Sequence, residues 1–385
     1  MLTREIIFRN FNLKKKNLKI VKTLNSLIKQ NNQIISSLSS NYKDSFKKEK
    51  IRKFKKFSNF RVIGMGGSSL GTQAIYDFLK NKINKKFFFI DNLKPIQKNF
   101  KNKKFVNLIV SKSGNTIETI ANSNILIKKN DNNIFITENK NNYLYNLAKK
   151  LKSEIIHHNN FIGGRYSVLS EVGMLPAELM GLKSSDFRQF NTLIKNKKFL
   201  NELVSNVSTI YYLNKQKKFN SVIINYDEKS ENFFKWYQQL VAESLGKKKK
   251  GLLPIISNMP KDNHSVMQLY LDGFQNNFFT FFYVHNNNSN KLNNNLLMRS
   301  HNFLNKKKLS NIMYAQKKAS EKVFNKKNIP FRSFEIKKRD EKTLGELFTF
   351  FILETILLGQ ALKINPYDQP SVELIKIETK KLLIN

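Results

Sequence analysis

Cysteine is absent from the 385 residues, which excludes disulfides, thiolate metal sites and a cysteine nucleophile. Arginine is scarce, at 9 of the 68 basic residues, and acidic residues number only 28, so the formal net charge is +40. Such a charge attracts nucleic-acid backbones through counterion release. Arginine, however, is the residue preferred for bidentate phosphate and base contacts. The lysines are spread along the whole chain beside abundant Asn, Ile and Phe, whose codons are rich in A and T. Compositional drift accounts for the charge, and no nucleic-acid partner is expected. A net positive field still concentrates small anions. No apolar run approaches the ~20 residues of a membrane span. The longest, 347–358, contains Glu354 and reads as a buried helix, so no membrane partner is expected. The first residues, MLTREIIFRNFNLKKK, show no apolar signal core.

Glycine is also scarce, at 14 residues, yet four fall within 64–71 (Gly64, Gly66, Gly67, Gly71). Residues 60–63 predict a short strand entering this cluster, and Ala74, Ile75, Phe78 and Leu79 predict a helix leaving it. Strands at 87–90, 105–110 and 134–137 alternate with a helix at 117–127. This alternation implies a parallel sheet with helices on both faces, and a continuous run such as FVNLIV suits a strand buried on both sides. After a mostly helical stretch the alternation resumes, with strands at 222–226 and 278–284 and helices at 232–244 and 264–271. This predicts a second α/β domain. Residues 1–45 hold no Gly or Pro and show helical spacing at Ile20, Val21, Leu24, Leu27 and Ile28, predicting one or two helices. The expected organisation is a helical N-terminal extension (1–45), a first α/β domain (46–190), a second (191–343) and a C-terminal helical segment (344–385). Within that segment the turn NPYDQP separates two helices.

Glycines at a strand-to-helix turn let backbone N–H groups approach an anion. Ser69 stands where a dinucleotide fingerprint needs Gly, and Thr72 stands where a P-loop needs Lys, so neither nucleotide class is indicated. The plainer alternative is a tight turn with close helix–strand packing. The second loop, Ser111-Lys112-Ser113-Gly114-Asn115-Thr116, also follows a strand and offers three hydroxyls, a Gly and a Lys at a helix start. Its plainer alternative is a helix cap from Ser113 or Thr116. Two such loops at neighbouring strand ends would face a common crevice. His157-His158 ends a further expected strand and, with no Cys and no helical pairing, reads as surface or packing rather than metal. The run Lys247–Lys250 reads as a solvated loop.

VIGMGGSSLG followed by SKSGNTIET resembles the sugar isomerase (SIS) phosphosugar-binding domain. The block Gly163-Gly164-Arg165-Tyr166-Ser167 resembles the GGR[FY]S segment of the glucose-6-phosphate isomerase (phosphoglucose isomerase) family. The blocks QLVAESLGK (239–247) and NPYDQPSVELIK (365–376) agree with it in order. The resemblance covers roughly residues 60–376. It implies two SIS-type domains and a cytoplasmic aldose–ketose isomerase acting on a sugar phosphate without cofactor or metal, as a homodimer with a shared active site. It further implies that Ser111, Lys112, Ser113 and Thr116, with Ser68, hold the phosphate, and that Gly67 and Gln369 line the sugar. Glu243 would be the catalytic base and Arg165 the stabiliser of the intermediate. His264, from the neighbouring subunit, and Lys376 would open the ring. The chain departs from the family pattern at Leu245, where Asn is common, at Ile375, where Gly is common, and in a shortened segment before His264. A glucose/mannose-bifunctional isomerase and a non-catalytic phosphosugar sensor are the alternatives.

The residue types suit the reaction. Moving a proton between C1 and C2 needs one carboxylate that removes and returns it. The enediolate is an oxyanion, for which a fixed cation is the natural stabiliser. Opening a sugar ring needs proton transfer near neutral pH, which suits His.

Overall fold

The computed structural model describes residues 1–13, 15–30, 32–96 and 104–384. Ten strands form two five-stranded sheets. The strands are β1 (Ile6–Arg9), β2 (Asn59–Ile63), β3 (Lys86–Ile90), β4 (Val106–Val110), β5 (Asn132–Thr137), β6 (Glu154–His157), β7 (Asn220–Asn225), β8 (Leu253–Asn258), β9 (Asn277–Val284) and β10 (Phe331–Ile336). The first sheet has the order β3-β2-β4-β5-β6 and is wholly parallel. The second has the order β1-β10-β9-β7-β8 and is parallel except for β1, which pairs antiparallel with β10.

Alternation along the strands explains the layers. Val62, Leu108 and Ile134 face the large central core, while Ile63, Ile109 and Phe135 face a smaller cluster with Leu144 and Ala148. In the second sheet Ile223, Phe282 and Phe334 face the central core, and Val222, Phe279 and Phe281 pack with Phe324 on the other side. Each sheet is therefore covered on both faces, which is why all five residues of β4 are buried. The helix Glu341–Ala361 packs against helices Lys197–Lys215 and Glu231–Leu245 and against Phe334 of β10, with every residue from Thr343 to Gly359 buried. It is long and apolar enough to cross a membrane, but it is a core helix here. Its Glu354 meets buried Arg332 of β10, whose Nε also donates to Thr280 at 2.9 Å.

Three strands lie outside the sequence expectation. β1 falls within the segment read as helical, because its short run IIFR gains a strand partner only in the fold. β8 contains Pro254, and β10 contains Arg332 and Glu335, whose charges are compensated by residues distant in sequence. The helix expected at 264–271 is instead a 3-10 turn, Lys261–His264, and a helix, Met267–Asp272, separated where Ser265 leaves helical geometry.

Candidate active site

The glycine loop follows β2 and the hydroxyl loop follows β4, which are neighbours in the first sheet. Both open at its carboxyl edge, the crevice where parallel sheets bind ligands. In the hydroxyl loop Gly114 takes φ +66°, and the Ser111 and Thr116 hydroxyls bond at 2.8 Å. Thr116 occupies the cap position of helix Ile117–Leu126, but its side chain makes no cap bond. Ser113 is exposed and accepts from the Asn115 N–H at 3.3 Å. Ser111 and Thr116 thus bond one another, and neither Ser113 nor Thr116 caps the helix. Lys112 lies beside Glu138, 3.6 Å away, and is partly exposed. Ser68, in the 3-10 turn Gly66–Ser68, is half-buried.

Arg165 is the hub. It is 2% exposed, in the 3-10 turn Gly164–Leu169. The glycine loop presses on this turn so closely that a Cβ at Gly67 would lie 2.2 Å from the Gly164 carbonyl carbon. Nε of Arg165 donates to Ser244 Oγ at 2.8 Å. Nη1 donates to Gln369 Oε1 at 2.6 Å and faces Glu243 Oε2 at 3.3 Å. Nη2 donates to the carbonyls of Pro366 at 2.8 Å and Asp368 at 3.0 Å. Glu243 and Ser244 come from helix Glu231–Leu245, which packs on helix Leu70–Phe78 and is tied to it by Asn232 donating to Asp77. The fold thereby brings residues 67, 165, 243 and 369 to one place, although 204 positions separate Arg165 from Gln369.

Sequence reasoning missed several members of this group. Gln239, one turn before Glu243, donates to its Oε1 at 2.9 Å, so the carboxylate is held from two sides. The sole Trp, Trp236, donates to the Arg165 carbonyl at 3.1 Å. Tyr166 is pushed up to about 12 by burial, stays protonated, and donates to the Pro366 carbonyl at 3.0 Å. The i−4 spacing before Glu243 is the signal that could have singled out Gln239. Lys247, read as part of a solvated loop, instead has a side chain only 10% exposed and an ion pair with Asp368.

Two expected residues stand outside the group within one chain. Lys376 lies on helix Val372–Ile384, which has no buried residue, and pairs with Glu373 at 2.9 Å. His264 is exposed at the end of its 3-10 turn, and its ring makes no hydrogen bond among the described residues. His157 is exposed, whereas His158 is buried, as a packing residue would be. Burial lowers His158 to about 4, and its Nδ1 lies 3.0 Å from the Asn159 carbonyl.

Two mainly parallel sheets with helices on both faces, and two loops opening at one carboxyl edge, define a SIS-type α/β fold. The phosphoglucose isomerase family model matches residues 20–384, and the chain belongs to that family. A glucose-6-phosphate isomerase of Methanocaldococcus jannaschii is 33% identical over 89% of this chain and 88% of its own. The fold matches a hypothetical protein of Thermus thermophilus, with TM-score 0.82 at 21% identity over 96% of this chain and 94% of that one. It also matches a glucose-6-phosphate isomerase of Chlamydia trachomatis, with TM-score 0.73 at 19% identity over 91% of this chain and 77% of that one.

Proposed function

We propose that this protein interconverts glucose 6-phosphate and fructose 6-phosphate through an enediol, as a cytoplasmic enzyme of glycolysis and gluconeogenesis. The observation that carries the reading is the Arg165–Glu243 pair, 3.3 Å apart beside the glycine loop. The hydroxyls of Ser68, Ser111, Ser113 and Thr116, with Lys112, hold the phosphate at the crevice mouth. Gly67 and Gln369 line the sugar. Glu243 takes the proton from C2 of the aldose and returns it to C1. Arg165 faces the oxyanion that develops between these steps, and a preorganised cation there stabilises it without reorganising.

His264 and Lys376 act in ring opening, His264 from a second copy of the chain. The homodimer is part of this proposal. It is supported by helix Val372–Ile384, where Leu374, Ile375, Ile377, Leu382, Leu383 and Ile384 are all exposed and no face is covered within one chain. The division at residues 1–45, 46–190, 191–343 and 344–385 belongs to the proposal too; two separate sheets favour its two α/β units, while β1 within 1–45 joins the second sheet.

The test is a coupled assay on purified protein with fructose 6-phosphate, run with EDTA and repeated with mannose 6-phosphate. Turnover of fructose 6-phosphate alone, unaffected by EDTA, is expected. Turnover of both sugars would replace this reading with the bifunctional one, and saturable binding without turnover would replace it with a sensor. Glu243→Gln should abolish turnover while sugar-phosphate binding survives. A variant with near-normal kcat would defeat the base assignment.

A further inference from the structure

Lys247 stands two residues beyond the end of the helix that carries Glu243. Its Nζ donates to the Asp368 carbonyl at 2.7 Å, to Asp368 Oδ1 at 2.8 Å and to the Asn365 carbonyl. The next two lysines, Lys248 and Lys249, are exposed, so the buried one is singled out by its contacts and not by composition. Within the turn it grips, Asn365 Nδ2 donates to Asp368 Oδ2 at 3.0 Å and Asn365 Oδ1 accepts from the Tyr367 N–H at 3.1 Å, while from outside the Tyr166 hydroxyl donates to the Pro366 carbonyl and Asn32 to the Tyr367 hydroxyl. Arg165 grips the same turn and shares one acceptor with Lys247, the Asp368 carbonyl. Gln369, the next residue, bonds the Arg165 nitrogen that faces Glu243. Three residues after Gln369 begins the exposed helix that carries Lys376.

We infer that Lys247 is a positioning residue: with Arg165 it clamps the turn 365–369 to the end of the Glu243 helix, and so fixes Gln369 and the root of the Lys376 helix relative to the base. The two cations share the Asp368 carbonyl, and Lys247 alone adds the Asp368 carboxylate and the Asn365 carbonyl. Tyr166 and Asn32 hold the middle of the turn, at Pro366 and Tyr367, so loss of Lys247 loosens its ends, at Asn365 and Asp368. The Asp368 carboxyl, drawn down chiefly by its hydrogen bond to Lys247, stays ionised and keeps the grip through neutral pH. The inference rests on the isomerase reading for its catalytic consequence, but the clamp itself does not.

The clamp touches Arg165 and, through it, Gln369, and none of the hydroxyl-loop residues, so its loss falls more on kcat than on KM. In the full-length protein Lys247→Met is expected to lower kcat ~10-fold or more, with KM for fructose 6-phosphate changed less than ~3-fold. Lys247→Arg, which can reach the same oxygens, should recover most of the loss. Asp368→Asn should lower kcat less, and adding it to Lys247→Met should cost little more, because the two act as one unit. Amide hydrogen exchange in 365–369 should quicken in Lys247→Met and not in Lys248→Met. Unchanged kcat and unchanged exchange in Lys247→Met would overturn the inference, as would a loss carried by KM alone. If the wild-type protein itself does not turn over the sugar, the exchange measurement still decides the clamp, and only the isomerase reading falls.

Discussion

Replacing Arg165 with Lys keeps the positive charge and removes the shape. The guanidinium presents donors along two edges and uses them on five acceptors: Ser244, Glu243, Gln369 and the carbonyls of Pro366 and Asp368. An ammonium offers three donors from a single point. It can follow either Ser244 or the tail turn, but it cannot span both. At least two acceptors lose their partner, at ~1–3 kcal/mol for each that stays buried. Gln369 and Asp368 are exposed and recover water, and the Pro366 carbonyl and Ser244 both keep the Tyr166 hydroxyl as a neighbour, so the cost is that of about one buried acceptor. The kinetic effect is separate. Loss of one preorganised oxyanion donor costs ~10²–10³ in kcat. The expected Arg165→Lys enzyme is folded and less stable by ~1–3 kcal/mol. Its kcat should fall at least ~100-fold, and its KM for fructose 6-phosphate should move less than ~3-fold, because the phosphate is held elsewhere. Steady-state kinetics in the coupled assay, beside a denaturant titration, measure both. A kcat within ~3-fold of wild type in a folded variant would refute the role given to the guanidinium.

Gly114→Ala should raise KM ~5-fold or more with kcat nearly kept, since the residue holds φ +66° and a Cβ there would lie 1.8 Å from Asn142 Oδ1. Equal KM values for variant and wild type would remove the hydroxyl loop from the substrate. The pH dependence of stability should carry the mark of His158, lowered from its ordinary 6.5 to about 4, mainly by burial. The unfolded chain takes up this proton below about pH 6.5 and the folded chain only near 4, so this group makes stability fall as pH drops through that window. His158→Phe should flatten the thermal midpoint against pH between those values, and an unaltered slope would count against the assignment.

The first sheet was legible because its strands are continuous apolar runs bounded by glycine or hydroxyl loops, as at 106–110 and 60–63. The second was only half legible. FRSFEI carries Arg332 and Glu335 inside a fully buried strand, and their partners, Glu354 and the pair Lys317 and Lys318, lie 17 to 22 positions away. No local pattern announces such pairing. The same holds within the site. Resemblance pointed to Arg165, Glu243 and Gln369, whose order along the chain matches the family blocks. Ser244, Trp236 and Lys247 take their roles from contacts 71 to 121 positions away. Helix ends were obscured for another reason, the shortage of glycine.

That shortage also explains where the glycines stand. Seven non-glycine residues among those described have positive φ, and six are lysines: Lys152, Lys217, Lys248, Lys249, Lys306 and Lys363, with Asn328 the seventh. Four of these, at 152, 217, 328 and 363, close helices by left-handed turns in which the next N–H reaches back to the helix, as Ser153 does to the Ala148 carbonyl at 2.9 Å and Ile364 to that of Gly359 at 2.8 Å. Glycine is the usual occupant of that position. A lysine there costs on the order of 1 kcal/mol, but all seven positions are exposed, so the side chain meets only solvent. At Gly67 and Gly114 the cost is of another kind, because a Cβ would overlap Gly164 or Asn142. A chain drifting toward lysine and asparagine can yield its helix caps for a small loss of stability, but it cannot yield the two contacts on which the crevice closes. Eight of the 14 glycines lie between 64 and 173, the span that builds that crevice.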